Sequence, residues 1–94
     1  MANTARICIE NSADRPRIVW VEPWGEDYTL LPGQKLQIVA RDDADVPWFY
    51  IVERPDSSQV YLEGCKSDYE VLQDGARLQC GHNRQAALDA GLKF

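Results

Sequence analysis

The chain has 94 residues, which makes a single domain with room for one hydrophobic core. Hydrophobic residues make up 45% and charged residues 27%, the balance of a folded protein rather than a disordered one. With 15 Asp and Glu against 10 scattered Lys and Arg the net charge is -5, so no basic footprint for DNA or RNA forms and a nucleic-acid partner is not expected.

The opening Met-Ala-Asn-Thr-Ala-Arg lacks the basic, apolar and small-residue order of a secretory signal. No apolar stretch approaches the ~20 residues of a membrane helix. The expectation is a cytoplasmic protein with no membrane contact. A first strand alternates Ile7 and Ile9 with Arg6, Cys8 and Glu10. A polar turn follows from Asn11 to Pro16, with Asp14 and Pro16 as breakers.

Arg17 to Glu22 carries Ile18 and Trp20 on one face and Val19 and Val21 on the other. Both faces are apolar, as in an inner strand or a strand covered on its second side. Pro23 ends its ladder and Gly25 supplies the freedom of a tight turn. Tyr28 to Leu31 is the next strand, closed by Pro32-Gly33, the order of a type II turn.

Lys35 to Arg41 predicts a strand with Leu36, Ile38 and Ala40 inward, Lys35, Gln37 and Arg41 in water, and Val39 as the exception. The acidic loop Asp42-Asp43-Ala44-Asp45 offers oxygens that suit a hard cation but lacks the glycine and distal glutamate of a calcium loop, so a solvated loop and no metal are expected. Trp48 to Val52 is the most hydrophobic run and predicts a buried strand. Val60 and Leu62 alternate with Tyr61 and Glu63 in the next strand, and Gly64 begins a turn. Tyr69 to Leu72 and Ala76 to Cys80 form a hairpin across Asp74-Gly75, the pair favoured in type I′ turns. Asn83 is a candidate cap for a short helix from Arg84 to Ala90, ended by Gly91, with Leu88 and Leu92 docking on the sheet. The fold class is therefore all-β: an antiparallel β-sandwich of about seven or eight strands over residues 1–82, with a short helix or tail over 83–94.

No set of residues assembles a recognisable catalytic or cofactor site. Trp20 and Trp48 lie within strands and are expected in the core; Trp24 sits in a turn. Trp24, Tyr28 and Tyr61, if exposed together, would suit sugar stacking or protein contact. Glu22 and Glu26 flank the Trp24 turn as a candidate acid–base pair that would need a cleft. Cys80 and His82 are two apart, at a backbone separation of roughly 6–7 Å on a strand, too far for a direct nucleophile–base contact. One histidine excludes a blue-copper ligand set, and no zinc or phosphate-loop spacing occurs. The cysteines, Cys8, Cys65 and Cys80, are expected as reduced thiols, with Cys65 beside Gly64 and Lys66 the most exposed; a Cys65–Cys80 disulfide would require export.

The segment Val19-Trp20-Val21-Glu22-Pro23-Trp24-Gly25-Glu26-Asp27-Tyr28, followed by Leu31-Pro32-Gly33, resembles a group of short uncharacterised bacterial all-β proteins with a Glu-Pro-Trp-Gly turn and a downstream Pro-Gly turn. The resemblance covers about the central quarter of the chain and implies no activity or cofactor. In strand count the chain is also similar to cupredoxin-like and immunoglobulin-like sandwiches, without the metal ligands of the one or the Cys-Trp-Cys core of the other. The functional expectation is a non-enzymatic module for protein interaction or self-association, a homo-oligomer included, through an edge strand or an apolar outer face of Val19, Val21, Phe49 and Ile51. The alternative is a small-molecule or carbohydrate binder using Trp24, Tyr28 and Tyr61.

Overall fold

The structure, a computed structural model, describes residues 2–65 and 68–94. The turn expected at Gly64–Lys66 is thus described only as far as Cys65; Lys66 lies outside the described residues.

Among the described residues, eight strands and one helix follow each other: β1 (Asn3–Glu10), β2 (Arg17–Glu22), β3 (Glu26–Leu30), β4 (Lys35–Asp42), β5 (Trp48–Glu53), β6 (Ser57–Glu63), β7 (Tyr69–Gln73), β8 (Ala76–Arg77) and α1 (Arg84–Asp89). They form two four-stranded sheets, ordered β1-β4-β7-β8 and β3-β2-β6-β5. The result is an all-β sandwich. One pairing departs from a wholly antiparallel plan, because β2 runs parallel to β6, with Val21 opposite Val60. The chain leaves the second sheet after β3, builds β4 in the first, and returns through the β5–β6 hairpin. It thereby brings β6 alongside β2 in the same direction.

The core lies between the sheets. Val19, Val21, Tyr28, Leu30, Leu36, Ile38, Val60 and Val71 form one buried cluster, with Ile7, Phe49, Tyr69 and Leu78 packed against it. The alternation of β4 places Leu36, Ile38 and Ala40 inside and leaves Lys35, Gln37 and Arg41 exposed, with Val39 buried on the outer face. β2 is central and covered on both faces, as its two apolar faces imply. Its outer Ile18 forms a second cluster with Ala87 and Leu92, against which Trp20 packs.

The outer apolar face expected from Val19, Val21, Phe49 and Ile51 does not exist. Val19 and Val21 are fully buried between the sheets, and Phe49 packs against the same core. The outer face of β2 instead belongs to Ile18 and Trp20. With both faces apolar, the alternation fixes which residues share a side but not which side is inside.

The Asn11–Pro16 turn is held by Asn11, which is 1% exposed. Its Nδ2 donates to Arg15 O at 2.8 Å and Leu30 O at 3.0 Å, and its Oδ1 accepts the Ala13 N–H at 3.1 Å. Asn11→Ala would strand buried backbone groups and should lower unfolding free energy by about 1–3 kcal/mol, measured by urea titration. Asn11→Asp, which turns a buried carboxylate oxygen toward the Arg15 and Leu30 carbonyls, should cost at least as much. The Asp74-Gly75 turn takes the expected left-handed pair, with φ of 51° and 81°.

The C-terminal helix forms but docks differently from expectation. Asn83 precedes it with φ 54° and makes no side-chain cap. Ala87 and Leu92 are the buried anchors, whereas Leu88 is 48% exposed. Leu92 returns to the sheet because the Gly91 N–H bonds Leu88 O and the Leu92 N–H bonds Ala87 O, turning the chain inward past the helix end.

Candidate functional site

What α1 covers decides what remains open. The helix and the residues after it lie over the β3–β2 half of the outer face of the second sheet. Arg84 grips the buried Asp27 carboxylate through Nε at 3.0 Å and Nη2 at 2.5 Å. Its guanidinium also sits 5.7 Å from the centre of the Phe94 ring, which meets Trp20 edge-on at 5.6 Å. The hydrogen bonds and charge of Asp27 raise the Arg84 pKa above its ordinary value. This clamp accounts for Trp20 being half-buried. Among the described residues, the β6–β5 half of the same face has no such cover.

On that uncovered half stand Trp48, Tyr50 and Tyr61. Tyr50 and Tyr61 are opposite one another across β5 and β6, and their rings stack at 4.7 Å and 4°. Trp48 follows Tyr50 along the strand at 6.1 Å. Trp48 is 52% and Tyr50 43% exposed, which corrects the placement of Trp48 in the core and of its strand as a buried one. β5 is an edge strand, and its even-numbered side chains point away from the core.

Two features seat this strip. Gly64 has φ +81°, and a Cβ there would fall 2.5 Å from Val46 O and 2.7 Å from Trp48 Cδ1. The missing side chain is the floor on which the Trp48 ring lies. Arg17 fixes the far end of the β5–β6 hairpin, donating to Pro55 O at 3.1 Å, Arg54 O at 2.9 Å, Ser57 O at 2.8 Å and the Ser58 hydroxyl at 3.1 Å, with a further close contact to Glu53. Neither role was visible in the sequence. A glycine after a strand reads as a turn residue, and an arginine opening a strand reads as surface charge.

The candidate residues expected to cluster do not. Tyr28 is 4% exposed and faces the core, its hydroxyl 3.1 Å from that of Tyr69. Trp24 lies over Tyr69 at 4.9 Å, so it is part of a packed corner, though still 40% exposed. Tyr61 is on the opposite face of the sheet. Glu26 accepts a hydrogen bond from Tyr69 and is thereby committed, while Glu22 lies opposite Tyr61 in the β2–β6 register. The cleft beside Glu26, Tyr28, Tyr69 and Arg77 holds about 130 Å³, and two grooves bordering the outer face of the first sheet hold about 210 and 230 Å³. All three are below the ~300–1,000 Å³ usual for an organic ligand.

Cys80 is turned to Asp27, 3.7 Å from Oδ1, and His82 uses its backbone to bond Thr29 while its Nε2 is buried without a partner. The thiol thus faces Asp27, and no hydrogen bond joins it to the imidazole. All three cysteines are free, and it is Cys8 and Cys80, not Cys65, that are exposed. In the acidic loop Asp42 Oδ2 accepts the N–H groups of Ala44 and Asp45, a turn-forming role. Among the described residues no helix is long and apolar enough to cross a membrane.

Compared with protein-family models, with curated proteins and with solved structures, the chain finds no match.

Proposed function

We propose that the chain is an interaction module that works by contact rather than catalysis, with the β5 edge and the Trp48–Tyr50–Tyr61 strip as its working surface. The observation that carries this reading is the contrast between the sheet edges. The β3 edge is covered by residues 79–83, through Gly81 N–H to Asp27 O at 2.7 Å and Thr29 N–H to His82 O at 2.8 Å. β8 is only two residues long, and β1 alternates Arg6, Cys8 and Glu10 with its inward side chains. These are the ordinary ways of blunting an edge. Among the described residues β5 has none of these three: between Pro47 and Pro55 Trp-Phe-Tyr-Ile-Val runs unbroken along it, with Ile51 38% exposed. An extended polypeptide can add a strand here, gaining main-chain hydrogen bonds from the edge and side-chain contacts from the aromatic strip. A cytoplasmic setting suits three unpaired thiols.

A phage-displayed library of extended heptapeptides, selected against the wild-type chain and against Trp48→Ala/Tyr50→Ala, tests the reading together with the wild-type oligomeric state. Sequences enriched on the wild type and lost on the double variant support it. Absence of any such peptide, in a chain that also stays monomeric, overturns it.

A second reading, a carbohydrate binder, draws on the same exposed rings. Tyr50 and Tyr61 each spend one face on the other, which leaves less open ring for a sugar. Tryptophan fluorescence on a glycan panel, with Trp48→Ala as the control in place of Trp24, separates the two.

A further inference from the structure

We infer that the occupant of the β5 edge is a second copy of this chain, paired antiparallel through β5 about a twofold axis at Ile51; the inference rests on the edge being the working surface. The backbone phase supplies the first argument. The Arg54 N–H bonds Ser57 O at 2.8 Å and closes the β5–β6 hairpin. Counting back along the register, the hydrogen-bonded pairs are Val52 with Gln59, Tyr50 with Tyr61 and Trp48 with Glu63. The peptide groups of Phe49, Ile51 and Glu53 therefore turn outward from the sheet.

Pro47 and Pro55 bracket these three residues at equal distances from Ile51. Neither can donate a hydrogen bond, so together they set the limits of the open ladder. With Ile51 opposite Ile51 of the second copy, Phe49 meets Glu53 of the second copy and the reverse. All three outward peptides are then paired, and Pro47 falls opposite Pro55 just where the ladder stops. Centring the axis on Tyr50 instead sets the Glu53 peptide against Pro47; centring it on Val52 sets the Phe49 peptide against Pro55. Each shift leaves a carbonyl facing a donorless proline at both ends.

Side chains agree with the same register. On the outer face Tyr50 meets Val52 of the second copy, and Trp48 meets Arg54 of the second copy. A guanidinium over an indole is a favourable contact, and Glu63 on the far side of Trp48 adds negative potential there. Within the monomer Arg54 makes a 3.4 Å contact to Gln59 in solvent, so it is available to the second copy. On the inner side the two Ile51 side chains cover each other's exposed edge. Phe49 against Glu53 is the one pairing without gain, because Glu53 is already held by Arg17. A contact one strand wide is smaller than the ~1,200–2,000 Å² of a standard interface, and two copies of net charge -5 repel, so the expected affinity is on the order of micromolar.

Sedimentation equilibrium of the full chain, from low to several hundred micromolar at moderate salt, should show a monomer–dimer equilibrium. Ile51→Lys should abolish it, and Arg54→Glu should weaken it at least tenfold, with circular dichroism and thermal melts confirming that both variants fold. The register is read by single cysteines placed in a background with Cys8, Cys65 and Cys80 replaced by Ser. Ile51→Cys puts two Cα atoms at ~5.5 Å and should form a disulfide-linked dimer under oxidant. Tyr50→Cys should not, because the two copies of position 50 are offset by two residues. A monomer at every concentration overturns the proposal, as does a dimer that links through position 50 or ignores Ile51→Lys. A monomeric chain that still selects peptides would end the homodimer while leaving the edge as an interaction surface.

Discussion

Gly64→Ala should lower the unfolding free energy by about 2–5 kcal/mol, whereas Gly75→Ala should lower it by no more than about 1–2 kcal/mol. The comparison is sharp because both glycines have φ +81°, so the added methyl meets the same backbone penalty and the same reduction of unfolded-state freedom at each. They differ in what surrounds the new Cβ. At Gly75 nothing lies within 4 Å. At Gly64 the Cβ would be 2.5 Å from Val46 O and 2.7 Å from Trp48 Cδ1. The carbonyl belongs to the chain entering β5 and cannot rotate away as a side chain would. Relief therefore requires β5 to draw back from β6 at its first residue, or the indole to leave its seat. Either response disturbs the aromatic strip, so Gly64→Ala should also raise the self-association constant for dissociation several-fold, a change Gly75→Ala should not produce. Urea titration and sedimentation on the pair provide the measurements. Equal losses of stability would mean that the Trp48 ring is not held against Gly64.

Much of the fold was legible because side-chain alternation and turn chemistry are local. The strand at Lys35–Arg41 shows its inside and outside in six of its seven residues, and Asp74-Gly75 announces its turn by the left-handed backbone geometry that suits both residues. β2 was readable as a twice-covered strand because apolar side chains fill both of its faces, and here the reading holds because α1 covers the second face. The same reasoning misplaced β5. A continuous run of Trp-Phe-Tyr-Ile-Val looks alike whether the strand is central or lies open at an edge, since periodicity reports sides and not neighbours. Pro47 and Pro55, closing the run at both ends, were the available sign, because prolines favour edges.

The candidate site was harder still. The sequence marks Tyr61 as a candidate, but it points Trp48 to the core, hides Tyr50 in a run that reads as a buried strand, and offers Tyr28 as a companion on chemistry alone. Which aromatics share a surface depends on the β5–β6 register and on α1 covering only half a sheet. Both follow from contacts far apart in sequence: Arg84 with Asp27, and Arg17 with the turn at Arg54–Ser57. No window along the chain contains both members of either contact.

Alkaline titration should expose the other buried aromatic group. Above about pH 10 the wild-type unfolding free energy should fall by up to about 2.7 kcal/mol per pH unit through Tyr28 and Tyr69 together, about 1.4 kcal/mol for each. Burial raises the Tyr28 pKa, and the nearby Glu26 charge adds to it against the lowering effect of the Tyr69 hydrogen bond. Burial also raises that of Tyr69, further increased by its hydrogen bonds to Glu26 and Tyr28. In the unfolded chain both phenols ionise near pH 10, while in the folded chain they keep their protons beyond that point. The folded state then binds more protons than the unfolded one, so stability is complete below about pH 10 and is lost progressively as pH rises toward the folded pKa values. Tyr69→Phe removes one of the two protons from this balance. It should begin from a lower stability at neutral pH, since Glu26 and Tyr28 lose a partner, and then decline about 1.4 kcal/mol per unit less steeply. Every other ionisable group is common to both proteins and cancels in the difference. Urea titrations of wild type, Tyr28→Phe and Tyr69→Phe between about pH 9 and 11 decide the matter. Parallel pH profiles would mean that the two hydroxyls ionise in the folded protein as readily as in water, and that the corner beneath Trp24 is open to solvent.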